Sequence, residues 1–184
     1  MRNILKTFDE KLILLINEKM KTKFLDSFMV RFTNLGSAVF ISAFTFILII
    51  FGKEDWRNTG IQAATTLAIS QSITYGLKSL LGRERPYNIL KNLNTFGIIL
   101  KDYSFPSGHT SASFSLATTI ALKGPILSVL VLSMALLVGI SRIYLGVHYP
   151  TDVAAGIILG VGSAVLVHLY LFSYVIKFIN SFGI

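Results

Sequence analysis

The sequence predicts an all-α, polytopic membrane bundle of about five transmembrane helices, preceded by amphipathic helices. Three observations predict it. Hydrophobic residues make up 53% of the 184-residue chain against 14% charged, with a mean hydropathy of +0.66, and a water-soluble domain of this size would carry more charge. The apolar residues come in uncharged blocks long enough to cross a bilayer. The charged residues gather at the ends of those blocks. The length predicts one domain over 1–184, with residues 1–35 as an interfacial segment and 36–179 as the transmembrane core.

The net charge is +8. On a soluble protein it would hint at nucleic acid; among apolar spans it points to anionic headgroups or phosphate substrates, so the predicted partner is the bilayer. With no cysteine, a disulfide, a thiol nucleophile and a thiolate metal site are all excluded. The run Leu12 to Ile16 is too short for a signal-peptide core.

In residues 1–35, Leu12, Ile13, Leu15 and Ile16, then Phe24, Leu25, Phe28, Met29 and Phe32, recur at helical spacing between lysines and arginines. They predict one or two amphipathic helices, lying on the membrane surface or packed on the domain. Phe32 to Gly52 is uncharged and forms the first span; Asn58 to Leu77, rich in Ala, Thr, Ser and Gln, forms a second that faces other helices more than lipid. Pro86 is expected to end that helix. Residues 87–106 form a long loop with an apolar patch, Phe96 to Leu100, either a gate or an unstructured connection. A third span opens at Pro106-Ser107-Gly108-His109, with Ser107 as its N-cap, and ends near Leu122. At about 24 Å it is shorter than the hydrocarbon core, so its N-terminus is expected to lie slightly sunk. The fourth span runs from Ile126 to about Arg142 and the fifth from about Thr151 to Ile176, where Gly156 and Gly160 offer a close helix contact.

This topology sorts the chemistry. The second span ends at Lys78 to Pro86, the third starts at Ser107, the fourth ends at Arg142 and the fifth starts at Asp152. All four fall on one side of the membrane. His148 and Asp152 share a helix face if the last helix starts near Pro150, so Asp152 can hold one ring nitrogen of His148 and leave the other free to attack. Arg142 supplies a cation whose fork suits phosphate. Singly, Lys78 and Arg85 would be anchors at a helix end. Arg83 and Glu84 fit an ion pair or a surface role. His168 stands alone in the fifth span and reads as structural.

Taken together, the segments K-x6-R-P (Lys78 to Pro86), P-S-G-H (Pro106 to His109) and S-R-x5-H-x3-D (Ser141 to Asp152) resemble the three-part signature of the type 2 phosphatidic acid phosphatase (PAP2) superfamily. The resemblance covers about residues 25–176. It implies a PAP2/haloperoxidase-like core and a metal-independent lipid phosphate phosphatase without cofactor. It further implies that His148 is the nucleophile, forming a phosphohistidine, with Asp152 as its orienting carboxylate and His109 as the general acid. Lys78, Arg85, Ser107, Gly108 and Arg142 would bind the phosphate. The residue types suit these roles: cations and a helix N-terminus stabilise a transferring phosphoryl group, and no cluster of carboxylates is present to hold Mg²⁺. The implied substrates are undecaprenyl pyrophosphate, phosphatidylglycerol phosphate or phosphatidic acid. A lipid phosphotransferase of the same superfamily, or a non-catalytic lipid binder or transporter, are the other readings. The resemblance implies a multi-pass protein of the cell membrane with its active site facing away from the cytoplasm. The basic residues argue the other way: Arg2, Lys6, Lys11, Lys19, Lys21, Lys23 and Arg31 fall on the catalytic side, against Lys53, Arg57, Lys123 and Lys177 opposite.

Overall fold

Every regular element among the described residues, 4–181 of the computed structural model, is helical; Arg2 lies outside them. Helix α1 (Ile4–Leu14) runs into a π-helical turn (Leu15–Lys19), followed by α2 (Lys23–Phe32), a 3-10 turn (Thr33–Gly36), α3 (Ala38–Phe51) and α4 (Glu54–Leu81). The short α5 (Pro86–Ile89) precedes the long loop. Then come α6 (Gly108–Ala121), α7 (Pro125–Tyr144), α8 (Pro150–Leu166), a π-helical turn (Val167–Leu171) and α9 (Phe172–Asn180).

Helix α6 is the axis. It packs against α3, α4, α7 and α8, and eleven of its fourteen residues are buried. Its sequence is rich in Ser and Thr, which lipid would not tolerate unpaired. Ser115 and Thr119 are paired on α4 or within α6: Ser115 Oγ donates to Ser70 Oγ at 2.8 Å, and Thr119 Oγ1 donates to Ser115 O at 2.8 Å. The expected glycine contact is present. A Cβ at Gly156 would lie 2.8 Å from Ser107 O, and one at Gly160 2.6 Å from Ser111 O and 2.7 Å from Phe114 Cβ. The backbones of α6 and α8 therefore touch.

By length and composition two helices could cross a membrane, Pro125–Tyr144 and Pro150–Asn180; a third crossing results if Lys23–Gly36 and Ala38–Phe51, bent by 50°, form one. Helix α4 is too polar to qualify and α6, at 14 residues, too short.

Three boundaries differ from expectation. The first long helix starts at Ala38, not Phe32. Gly36 is wedged against Val138 and Ser113, and Ser37 caps α3 by accepting from Phe40 N at 3.2 Å. Helix α4 continues to Leu81 and is ended by Gly82 (φ 55°) rather than by Pro86. Pro86 instead opens α5, where its fixed φ suits a first turn. Third, Ser107 stands at the N-cap position of α6 but makes no capping bond, because its Oγ accepts from Thr110 Oγ1 at 2.9 Å.

The N-terminal segment packs on the domain. Asp9 and Asn17 are 1% and 0% exposed, and Ile13 packs with Ile143 and Val153. Asn17 Nδ2 donates to Asn94 O at 2.9 Å and to Tyr144 O at 2.7 Å, stapling the long loop to the end of α7. The loop is folded. Phe96, Ile98 and Leu100 pack against Tyr144, Leu145 and Val147, and Tyr87 Oη donates to Leu100 O at 2.9 Å.

Gly160→Ala should destabilise the protein by about 1–3 kcal/mol through overpacking against α6. Gly76→Ala, whose Cβ meets nothing within 4 Å, should be neutral or stabilising. Thermal unfolding in detergent checks both. An unchanged Tm in Gly160→Ala would refute the close α6–α8 contact.

Candidate active site

The cluster forms where α4 ends, α6 and α8 begin, and α7 turns into α8. The turn is tight because Gly146 adopts φ 67°, a left-handed conformation that glycine takes without strain. It carries His148 inward to 2% exposure. Its Nδ1 lies 3.5 Å from Asp152 Oδ2 and has no hydrogen bond. Its Nε2 lies 3.3 Å from Arg85 Nη1. A guanidinium only donates, so Nε2 accepts, and the ring proton sits on Nδ1 facing Asp152. That tautomer puts the ring's lone pair on Nε2, facing Arg85.

Asp152 is fully buried and well satisfied. Its Oδ2 accepts from Tyr149 N at 2.8 Å and from Ser104 Oγ. Its Oδ1 accepts from Arg83 Nη1 at 2.6 Å. Burial pushes the His148 imidazole down from its ordinary 6.5 to about 4; the charges of Arg142 and Arg85 add to this and Asp152 opposes it. His148 is thus neutral at physiological pH.

Arg85 and Arg142 act on the ring, and Lys78 joins them through Asp102. Arg85 is 2% exposed and donates to Val147 O at 2.8 Å and Asp102 O at 2.8 Å. Arg142, also 2% exposed, donates from Nη1 to Thr33 Oγ1 at 2.8 Å, while its Nε and Nη2 have no partner. Lys78 binds Asp102 Oδ2 at 3.0 Å and Tyr103 O. His109, the second residue of α6, is close enough to Arg142, Arg85 and His148 for their charges to act on it. It lines a cavity of about 300 Å³ with Gly108, Gln71, Thr74, Lys78, Asp102 and residues of α3. Its walls are thus drawn mainly from α3, α4 and α6. Since Ser107 does not cap α6, that helix presents a bare N-terminus, which attracts anions.

All eight residues singled out in the sequence fall in or around this cluster. His168 lies far off, beside Gln62 at 3.3 Å. Three polar neighbours were missed. Asp102 bridges Lys78 and Arg85, binding Arg85 Nη2 at 2.7 Å; burial would raise its carboxyl, but Lys78 and Arg85 outweigh it and hold it at about 2. Ser104 and Arg83 reach Asp152. No spacing rule marks Asp102 or Ser104, since both sit in an irregular loop. Arg83 reads from the sequence as an ion pair or a surface residue; the structure makes it an ion pair with Asp9 and Asp152. Among the described residues no group of three His, Asp or Glu side chains could hold a metal ion.

A membrane helix bundle that gathers three cations, two imidazoles and a bare helix N-terminus at one end is built to bind and act on an oxyanion. The chain belongs to the PAP2 superfamily, which it matches over residues 59–175. It is 37% identical over 78% of its length to the bacitracin transport permease protein BcrC of Bacillus licheniformis, covering 67% of that protein. It is 32% identical over 83% of its length to the undecaprenyl-diphosphatase of Sulfolobus acidocaldarius, covering 73% of it. Its fold is similar to that of LpxE from Aquifex aeolicus, with a TM-score of 0.81 and 29% identity over 89% of this chain and 96% of that one.

The His148 assignment has a pH consequence. Between about 6.5 and 4 the unfolded chain binds a proton that folded His148 refuses, so this group's contribution to stability falls as pH drops through that window. A ¹⁵N-histidine titration, with the three signals assigned by single substitutions, should place its midpoint near 4. A midpoint at or above 6.5 would show a ring charged near neutrality and refute the neutral tautomer.

Proposed function

We propose that this protein is a membrane-integral lipid phosphate phosphatase that works through a phosphohistidine on His148. The observation that carries the reading is Arg142: a buried guanidinium with Nε and Nη2 unpartnered, beside a neutral imidazole. An unsatisfied buried cation is costly, and a phosphate supplies what it lacks.

The steps follow from the geometry. The lipid's tails stay in the bilayer and its phosphate enters between α3, α4 and α6. Lys78, Arg85 and Arg142, with Ser107 and the Gly108 backbone N–H, hold the phosphoryl oxygens, and Asp102 gives up its cations to them. The Nε2 lone pair of His148 attacks phosphorus, and the bond from phosphorus to the lipid-side oxygen breaks. His109 protonates that oxygen; the incoming negative charge favours the imidazolium that this requires. Asp152 balances the positive charge that develops on the His148 ring. His109, now neutral, takes a proton from water, which attacks the phosphohistidine and releases phosphate. Cationic side chains supply the charge neutralisation, so no step is assigned to a metal.

The substrate class is a lipid phosphate or diphosphate, with undecaprenyl pyrophosphate placed ahead of phosphatidylglycerol phosphate and phosphatidic acid because a relative is named for it. A transport reading, which the name of another relative invites, fits poorly with charges placed at helix ends rather than at mid-membrane. The bundle would cross the membrane five times, through α3, α4, α6, α7 and the α8–α9 unit. The active site would face away from the cytoplasm, an assignment that rests on the family resemblance and runs against the basic residues of α1 and α2.

His148→Ala should abolish turnover and the acid-labile phosphoenzyme that ³²P-labelled substrate traps in the wild type, while the protein stays folded. Turnover that persists in this variant would exclude the nucleophile assignment. Assays of the three lipids should give the highest kcat/KM with undecaprenyl pyrophosphate.

Orientation is tested with single cysteines in a chain that has none. Asn88→Cys, beside the site, should react with an impermeant maleimide in intact cells, and Glu54→Cys, at the other end of α4, should not. The reverse pattern would place the active site in the cytoplasm.

A further inference from the structure

We propose that Arg83 is a positioning residue for the reaction, held in place by Asp9 of the N-terminal helix, and that the pair fixes the Asp152 carboxylate against His148. The inference rests on the reading of His148 as nucleophile and adds two residues which that reading does not use.

The guanidinium of Arg83 is divided between two buried carboxylates. Its Nη1 donates to Asp152 Oδ1 at 2.6 Å and to Thr151 Oγ1 at 2.7 Å. Its Nη2 donates to Asp9 Oδ2 at 2.7 Å. The Tyr149 ring covers it, 4.1 Å from centroid to guanidinium carbon. The side chains of Asp9 and Asp152 are 2% and 0% exposed. Neither carboxylate has water to fall back on, so they share one cation. Asp9 is tied to the start of α8 as well, accepting from Thr151 N at 3.0 Å and from Thr151 Oγ1 at 2.5 Å. Arg83 therefore cannot swing away from Asp152 without breaking its hold on α1.

This arrangement bears on the chemistry through one rotation. A carboxylate turns about its last bond unless both oxygens are held. Oδ2, held by Tyr149 N and Ser104 Oγ, faces His148 Nδ1 at 3.5 Å, and Arg83 holds the other oxygen, Oδ1. A fixed Oδ2 keeps the ring's Nδ1–H directed, and hence Nε2 aimed, and it stays ionised to balance the ring when Nε2 becomes phosphorylated. A misplacement of this order at a nucleophile costs rate rather than binding. Asp9 lies outside residues 59–175, the part of the chain that matches the family. The link thus gives the N-terminal helix a part in the reaction.

The test uses the full-length protein in detergent with a lipid phosphate substrate. Arg83→Gln should lower kcat on the order of 10–100-fold with KM little changed, and should slow phosphoenzyme formation by the same factor. Arg83→Lys should restore only part, because one ammonium cannot reach both carboxylates with fixed geometry. Asp9→Asn should lower kcat less, and the double variant Asp9→Asn/Arg83→Gln should fall no further than Arg83→Gln alone, since Asp9 acts through Arg83. A purely structural pair would instead lower Tm and the active fraction while leaving kcat per folded molecule unchanged, and that result overturns the proposal. If Arg83→Gln does not fold, Asp9→Asn decides: unchanged kcat overturns the proposal, and a lowered kcat with wild-type KM supports it. Activity lost in His148→Ala but intact in Arg83→Gln overturns this link alone, whereas activity surviving in His148→Ala overturns the nucleophile reading and this link together.

Discussion

The structure depends on satisfying one buried charge. Asp152 is fully buried, and an isolated carboxylate there would cost roughly several kcal/mol. Its donors come from distinct segments: Arg83 from the turn after α4, Ser104 from the long loop, Tyr149 from the start of α8. Its backbone carbonyl also accepts from Ser107 N at 3.0 Å, which draws in the start of α6. Each bond that stabilises the charge also places a piece of the site. Charge satisfaction and site assembly are therefore the same event, and neither can be loosened without the other.

A second constraint sets what lies opposite. Helix α6 can be short and polar because Gly156 and Gly160 let α8 close on its backbone, and because Ser115 and Thr119 find partners on α4 and within α6. With Ser107 turned to Thr110, the first N–H groups of α6 stay open beside His109.

Much of this was legible in the sequence. The spacing of His148 and Asp152, the cations at helix ends and the sorting of all of them to one face follow from period and length. The helix limits at Ala38 and Leu81 did not. Gly36 and Gly82 act through a close contact and a positive φ, and neither shows in hydropathy. The packed position of α1 was one of two readings open from the sequence; Asp9 and Asn17 decide it through partners more than seventy residues away. Loop residues were the hardest. Asp102 and Ser104 lie in irregular backbone where no periodicity assigns a direction, and their roles come from which cation or carboxylate they meet.

Asp102 gives the site a property that its motifs do not announce. The carboxylate is ionised at any physiological pH, sits on two of the three clustered cations and is more than half exposed. It is a counter-ion on a tether. Because a tethered group competes at an effective concentration of the order of millimolar or more, chloride, bicarbonate and other weakly held anions meet a place already taken. An incoming group has to replace two charge-assisted bonds at once and also satisfy Arg142, which only a multiply charged oxyanion can do. The resting site behaves as a preloaded ion exchanger, and its selectivity lies in the displacement as much as in the fit.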